Sequence, residues 1–371
     1  MKIPKYPRYD KSVTLAYRFL TSNNIHSFPI EPLEIIQKNK WGLISYSDLA
    51  EIHGVDIESV IKAYQSKDGY TIYDGQYYTI AYNDTVDSKE RIRFTLMHEI
   101  GHIIFNHLVD FDATILNRGG LTELQYDVLE KEVNSFARNT LCPANLVHEL
   151  NMNKIIHLQN HFGLSPQAAK FRLQILQSDK FKLTNRYSKK LLAHFKDFIY
   201  KIKHAKQCLN CNYYFIHATA KFCLCCGHHN FYKFPKEVNN MLYNDGYELD
   251  EGSRAIKCPQ CENEQLYYHG GYCNICGIYL INRCAYEHYQ TGELIINEEC
   301  ETLLPGNARF CGNCGQRSSF HIQGLLPEWN KAKASIEAYN STDYNNPFQP
   351  KRTNNPFDRE KTVSSSDNLP F

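Results

Sequence analysis

Two histidines and a glutamate form a pattern that could do chemistry: His98, Glu99 and His102 have the H-E-x-x-H spacing of zinc peptidases. On an α-helix, positions four apart lie about 40° apart around the axis, so the two histidines share a face. Both imidazoles can then reach one Zn²⁺ at about 2.0–2.1 Å. Glu99 lies off that face, where it can act as general base on the attacking water. The spacing therefore predicts a zinc hydrolase site.

The residues around this motif favour a metal site over a chance occurrence of the H-E-x-x-H pattern. H-E-x-x-H is short and occurs by chance in unrelated chains, so two histidines on an ordinary amphipathic helix are the alternative. A buried helix rarely carries two histidines and a glutamate without a partner for them, and metal is the simplest partner. The stretch 91–107 is largely apolar, with Ile92, Phe94, Leu96, Ile100, Ile103, Ile104 and Phe105.

Catalytic zinc usually has three protein ligands, so a third is needed. His107 lies nine residues after His98, about 180° around the helix and on its far side, so its imidazole cannot join the other two. The extended metzincin motif also fails, because it requires glycine and histidine where the chain has Phe105 and Leu108.

A better third ligand lies downstream, on a helix predicted over residues 129–143. Glu130 and Asn134 are four apart, so one can bind the metal while the other orients a ligand imidazole. Glu132 competes for the ligand role, but Glu130 has the better spacing with Asn134. An ordinary charged helix face is the alternative for this segment.

These motifs together resemble the ImmA/IrrE family of metallopeptidases over about residues 10–180. The resemblance implies a zinc endopeptidase with His98, His102 and Glu130 as ligands and Glu99 as base. Members typically cleave a helix-turn-helix repressor and so switch on transcription, which implies a DNA-binding repressor as the protein substrate. Cys142 departs from the aliphatic residue usual there. The resemblance is carried by Arg91-x-Arg93-Phe-Thr, His98-Glu-x-Gly-His102, Glu130-x-Glu132-x-Asn134-x-Phe136-Ala137 and Leu141-x-Pro143.

The length and composition of the chain limit the number of domains and the class of protein. A chain of 371 residues should hold two or three domains. Its 41 basic and 40 acidic residues nearly cancel, so no polyelectrolyte partner is implied for the chain as a whole. The N-terminal stretch lacks the apolar core of a signal peptide, and no apolar run approaches the roughly 20 residues that span a bilayer. We expect a cytoplasmic protein without a membrane partner.

Secondary-structure signals predict an α+β protein. Helices are expected over 12–20 and 32–40, and another begins after Ser165-Pro166, where serine caps the helix and proline takes its first position. Aromatic and β-branched residues flank Asp74-Gly75 between residues 70 and 82, which predicts a hairpin. This hairpin is either a substrate-binding edge beside the metal or a plain structural sheet.

A basic segment follows the peptidase-like region. Residues 170–206 contain eleven lysines and arginines and only two acids, together with an amphipathic apolar stripe. Such a helix can contact nucleic acid or an acidic partner. The solvated face of a connecting helix is the simpler interpretation, and we favour it.

The cysteines predict structural zinc. In a cytoplasmic chain, paired C-x-x-C spacings bind metal more often than they form disulfides. One set of four recurs 50 residues later with the same spacing, as in zinc ribbons, whose two turns each give two thiolates to a tetrahedral site. Cys225 is then a spare. The two sets are Cys208, Cys211, Cys223 and Cys226, and Cys258, Cys261, Cys273 and Cys276.

A third, less regular set consists of Cys284, Cys300, Cys311 and Cys314. It resembles a ribbon whose first turn has Asn297 in place of a cysteine, with Cys284 supplying the missing ligand after an insertion. We therefore expect one catalytic and two or three structural zinc ions. Sites closed by four thiolates have no open position and are not catalytic, so these modules should bind protein or nucleic acid.

The last segment, residues 340–371, is poor in aliphatic residues and rich in Asn, Ser and Pro, which predicts disorder. Its end, Leu369-Pro-Phe371, resembles the tail tip of bacterial single-stranded-DNA-binding proteins, although Asp367 is the one acid close to it. That resemblance implies a replication or repair partner docking on Phe371 and the terminal carboxylate. A chance terminus is the alternative.

Together these signals predict a mainly helical, zincin-like peptidase domain with a small β-sheet, then small β zinc-ribbon modules and a disordered tail. The leading function is a cytoplasmic zinc endopeptidase recruited by its ribbons and tail. The alternative is a non-catalytic regulatory module that binds protein or nucleic acid through the ribbons. The predicted boundaries are 1–180 for the peptidase domain, 181–206 for a basic linker helix, 207–235, 255–282 and 283–320 for the ribbons, and 340–371 for the tail.

Overall fold

The computed structural model describes residues 4–110, 121–235, 246–266 and 270–331. The predicted tail over 340–371, with its Leu-Pro-Phe end, lies outside these residues. The chain divides into two compact units. The first comprises Met1–Gln207, Tyr214–Ala218 and Phe231–Glu237, and the second comprises Cys208–Tyr213, Thr219–Asn230 and Val238–Phe371.

The first unit is mainly helical, and apolar positions at helical spacing form its core. No helix among the described residues has the length and apolar character needed to cross a membrane. The helices of the first unit are α1 (Tyr9–Ser22), α2 (Pro32–Lys38), α3 (Tyr46–His53), α4 (Ile57–Tyr64), α5 (Lys89–Ile104), α6 (His107–Asp110), α7 (Glu123–Leu141), α8 (Ala144–Glu149), α9 (Ile155–Phe162), α10 (Pro166–Lys182), α11 (Asn185–His194) and α12 (Lys196–His204).

A three-stranded sheet with the order β1-β3-β2 lies in the same unit. Its strands are β1 (Gly42–Ser45), β2 (Gly69–Tyr73) and β3 (Tyr78–Tyr82). β2 and β3 form the predicted hairpin, with Asp74 Oδ1 accepting hydrogen bonds from the backbone of Gln76 and Tyr77 in the turn. β1 pairs with β3 in parallel, which leaves β2 at the sheet edge nearest the functional helix α5.

Helix α5 is held against α7 at close range. Met97 and Ile100 of α5 and Phe136 of α7 are fully buried in the core. Gly101 makes the close approach possible, because a Cβ at this position would lie 3.1 Å from the side chains of both Val133 and Phe136. Glycine inside the histidine motif thus has a packing role, and it fixes the distance between the two helices that carry the site.

The basic segment predicted as one linker helix contains two helices, α11 and α12, after the end of α10. Its apolar stripe is buried in the core of the first unit rather than left for a partner. Four of its residues belong to that core: Leu191, Phe195, Phe198 and Ile202. This packing agrees with the simpler interpretation of a connecting segment with a solvated basic face.

Three short strands, β4 (Ala205–Cys208), β5 (Tyr214–Ile216) and β6 (Phe231–Tyr232), form a sheet with the order β5-β4-β6. In the second unit, β7 (Ala285–Glu287) pairs with β8 (Leu294–Ile296), and the short helix α13 (Ser319–Ile322) follows. A small apolar cluster there includes Leu280 and Phe320. Helices, small sheets and cysteine-rich modules confirm the predicted α+β class.

Candidate metal centres

Helices α5 and α7 bring two imidazoles and a carboxylate to one point. His98 and His102 stand one turn apart on α5, with 3.1 Å between their Nε2 atoms. Glu130 reaches across from α7, its Oε2 lying 3.2 Å from His98 Nε2 and its Oε1 3.4 Å from His102 Nε2. Among the described residues, these three form the group of histidine and carboxylate ligands able to hold a metal ion.

The geometry of this group fits zinc. Tetrahedral ligands bonded at about 2.0–2.1 Å are about 3.3 Å apart, which is close to the three separations observed. The cluster also favours positive charge. Burial would lower the pKa of His98, but the hydrogen bond and charge of Glu130 raise it to about 9. The same histidines hold the pKa of Glu130 well below its usual range despite its burial. A divalent cation satisfies all three groups at once.

Asn134 sets the orientation of the first ligand. It lies one turn after Glu130 on α7, and its Oδ1 is 3.1 Å from His98 Nδ1. An Nδ1 proton donated to this oxygen leaves the Nε2 lone pair directed at Glu130 and the metal position.

His107 lies behind the second ligand, so the prediction that it sits on the far side of the helix is wrong. α5 ends at Ile104, Asn106 takes a left-handed φ of 59°, and a new helix begins at His107. The chain reversal brings His107 Nδ1 to 3.1 Å from His102 Nδ1. His107 supports the ligand from behind but does not become one. Burial lowers its pKa to about 4, so it is neutral at physiological pH.

Glu132, the rival for the ligand role, is engaged elsewhere. Its side chain is fully buried and accepts hydrogen bonds from the backbone N, Nε and Nη2 of Arg8 at 2.7–2.8 Å. Its Oε2 also lies 3.6 Å from His107 Nε2. Burial would raise the pKa of Glu132, but the Arg8 bonds lower it to about 2. A chain of contacts therefore runs from Arg8 through Glu132 and His107 to His102.

Glu99 faces a cleft of about 260 Å³ that the three ligands also line. Its Oε2 accepts a hydrogen bond of 2.7 Å from Thr71 Oγ1 on the edge strand β2. Sequence reasoning missed Thr71 and Arg8. The hairpin gave an indirect signal for Thr71, but nothing in the local sequence singles out Arg8.

Tyr126 also lines the cleft, and burial together with the adjacent Glu130 carboxylate raises the pKa of its phenol far above the ordinary value. Its hydroxyl therefore stays protonated and remains a hydrogen-bond donor, with the Glu130 side chain as its present partner. Two histidines that could also donate to a developing oxyanion lie elsewhere: His107 is behind His102, and His148 has its Nε2 2.6 Å from Lys180 Nζ. Tyr126 is the candidate that the geometry favours.

The twelve clustered cysteines form three groups of four, each able to hold a metal ion. Within them, sulfur atoms pair at 3.4–3.6 Å, for example Cys208 with Cys226 and Cys258 with Cys276, both at 3.6 Å. Thiolates bonded to zinc at about 2.3 Å are about 3.8 Å apart in a tetrahedron, so the spacing fits. The groups are Cys208, Cys211, Cys223 and Cys226; Cys258, Cys261, Cys273 and Cys276; and Cys284, Cys300, Cys311 and Cys314.

The irregular third group has a structural explanation. β7 and β8 form a hairpin between Cys284 and Cys300, which accounts for the insertion. Cys284 returns to lie 3.4 Å from Cys314, while Cys300 lies 3.6 Å from Cys311. Asn297, at the position where a cysteine was expected, donates a hydrogen bond of 3.5 Å to the Cys284 sulfur.

Comparison with known proteins agrees with the first of these centres. Residues 50–174 match the peptidase M78 family model, described as an IrrE N-terminal-like domain. None of the curated proteins compared with the chain matches it. The matched region contains Glu99 and all three of the grouped histidine and glutamate ligands. Residues 50–174 are thus similar to an IrrE N-terminal-like domain, which confirms the resemblance to ImmA/IrrE-type peptidases.

Proposed function

We propose that the chain is a zinc-dependent endopeptidase whose active site is the cleft between α5, α7 and β2. One observation carries the proposal: His98, His102 and Glu130 converge at zinc-like separations, with Glu99 in the same cleft. The peptidase-family match over residues 50–174 supports it independently.

His98, His102 and Glu130 would hold zinc, which would supply Lewis-acid chemistry by polarising a substrate carbonyl and making water more acidic. Glu99 takes a proton from the water while the water oxygen adds to the carbonyl carbon of the substrate. When the carbon–nitrogen bond breaks, Glu99 delivers that proton to the leaving amine. Thr71, by donating to one oxygen of Glu99, fixes the direction in which the carboxylate points.

The Tyr126 hydroxyl donates a hydrogen bond to the carbonyl oxygen as negative charge develops on it. A donor that stays protonated and is fixed before the reaction stabilises the transition state more than the substrate. Its location in the cleft beside Glu130 supports this role.

Strand β2 binds the substrate backbone. It lies at the sheet edge, and Gly69, Tyr70 and Thr71 line the metal cleft. An extended peptide paired with such an edge has its carbonyl groups held at a fixed spacing beside the catalytic groups. This placement favours the substrate-edge interpretation of the hairpin.

The substrate we propose is a DNA-binding helix-turn-helix repressor in the cytoplasm, an inference that rests on family resemblance alone. The three cysteine groups would hold structural zinc and recruit that substrate. The proposed replication or repair partner of the C-terminal tail would bind residues outside those described.

A regulatory binding module is the second candidate. It is favoured by the three closed four-cysteine groups, which offer zinc no open position for catalysis. In that case the cysteine modules carry the main function by binding protein or nucleic acid, and the peptidase-like unit holds a partner.

The two candidates are separated by comparing Glu99→Gln with Glu123→Gln, a matched change at an exposed position on α7. Zinc content and cleavage of a denatured protein are measured on full-length chains. A zinc endopeptidase keeps its zinc in both variants and loses cleavage in Glu99→Gln alone. Equal cleavage by the two variants would contradict the proposal and favour the binding module.

A further inference from the structure

We propose that an apolar cavity beside the metal cleft, between α5, α7 and α10, binds large apolar side chains next to the scissile bond. This inference rests on the proposed peptidase function and names the substrate feature that the enzyme selects. The cavity has a volume of about 790 Å³.

The walls of the cavity are contributed by α5, α7 and α10, by Tyr9 of α1 and by the loop before α10. Phe94 comes from α5 and Leu141 from α7, while Leu164 precedes α10 and Ala168 and Phe171 lie on it. Phe171 is 53% exposed although it is a large aromatic residue. Apolar groups arranged around a concave surface bind apolar groups, because contact removes both from water.

The cavity and the metal cleft are contiguous. Phe94 and Asn134 line both of them. Phe94 lies one turn before His98 on α5, and Asn134 lies one turn after Glu130 on α7, so the same two helix faces continue from the metal ligands into the cavity. A peptide bond held at the metal ligands therefore places its neighbouring side chains within reach of the cavity.

The positive charges at the rim do not compete with this apolar selection. Each arginine or lysine that lines the cavity already has an aspartate partner, so an acidic side chain of the substrate gains little by entering. The pairs are Arg138 and Arg172 with Asp179, Arg91 with Asp68, and Lys131 with Asp127.

The volume of the cavity indicates that more than one substrate residue enters it. Ligand pockets of about 300–1,000 Å³ hold whole small molecules, so a cavity in this range exceeds one side chain. We infer that two or three large apolar residues on one side of the scissile bond occupy it together.

The test uses the full-length, zinc-loaded chain and a library of fluorescence-quenched peptides in which Leu or Phe is replaced by Ser at each position in turn. Binding of the same peptides is measured by fluorescence anisotropy with Glu99→Gln. Ala168→Trp fills the cavity, and Gln174→Trp, at an exposed position on α10, is its control. Phe171→Ser removes apolar wall from a half-exposed site, and Lys170→Ser is its control.

We expect Leu or Phe at the flanking positions to improve both cleavage and binding by about tenfold or more over Ser. Ala168→Trp and Phe171→Ser should lose this preference, and their controls should retain it. Equal cleavage of all peptides by the unchanged chain would overturn the cavity proposal while leaving the peptidase intact. Apolar-selective binding without cleavage would overturn the peptidase and leave the cavity. If Phe171→Ser instead alters the oligomeric state, the occupant is a second copy and the proposal is wrong.

Discussion

The contact between Arg8 and Glu132 predicts how strongly the N-terminal helix supports the metal site. In Glu132→Gln, the buried carboxylate loses its charge and its pairing with Arg8. The interval between the ordinary carboxyl pKa of 4.5 and the value of about 2 in the folded chain corresponds to about 3 kcal/mol. Because the folded-state pKa is the lower one, this stabilisation is complete above pH 4.5 and is lost as pH falls towards 2.

We therefore expect Glu132→Gln to lower the free energy of unfolding of the first unit by about 3 kcal/mol at neutral pH. Urea unfolding followed by far-ultraviolet circular dichroism measures it, because α1 to α12 lie in that unit. Since Glu132 also supports His102 through His107, zinc affinity should fall about 10–100-fold in a competition with a chelator.

The matched control is Asp127→Asn, another carboxylate-to-amide change on α7. Asp127 pairs with Lys131, and about half of each side chain is exposed, so the loss should stay below about 1 kcal/mol. Equal unfolding free energies for the two variants, together with unchanged zinc affinity in Glu132→Gln, would refute the contact chain from Arg8 to His102.

Three further predictions concern chemistry and metal. Glu99→Gln should retain its zinc and lower kcat about 10²–10⁴-fold in steady-state cleavage assays, because the general base is removed. Tyr126→Phe should lower kcat about 10²-fold with KM and zinc content unchanged, and a change confined to KM would exclude an oxyanion role. Cys258→Ser should cost the chain one zinc ion by atomic absorption, whereas Cys225→Ser, outside the three groups, should cost none.

Local spacing was sufficient to predict much of the site. The four-residue separation of His98 and His102, and that of Glu130 and Asn134, places each pair on one helix face whatever the surrounding fold. The hairpin followed in the same way from Asp74-Gly75 between alternating β-forming residues. These features depend only on residues that are close together in the sequence, so they can be predicted from the sequence alone.

The contacts behind the ligands depend on tertiary structure. Arg8 and Glu132 are separated by 124 residues, and no periodicity connects them. The position of His107 depends on the left-handed backbone at Asn106, which ends α5 before the apolar pattern ends. A helix extrapolated from that pattern passes through the break and places His107 on the wrong side.

The three cysteine groups could be predicted from the sequence to different degrees. The repeat of four cysteines fixed two groups, because the spacing recurs without change. For the third group, Cys284 could be assigned only as a replacement for an absent residue. The β7–β8 hairpin, which brings Cys284 back to Cys314, is the structural reason that the assignment works.

The proposed peptidase activity depends on one metal ion held by His98, His102 and Glu130. An anomalous difference map, recorded at the zinc absorption edge from crystals of the full-length chain, tests this most directly. We predict a peak between the two Nε2 atoms and the Glu130 carboxylate, in addition to peaks at the cysteine groups. Peaks at the cysteine groups with none between the histidines would contradict the proposed active site.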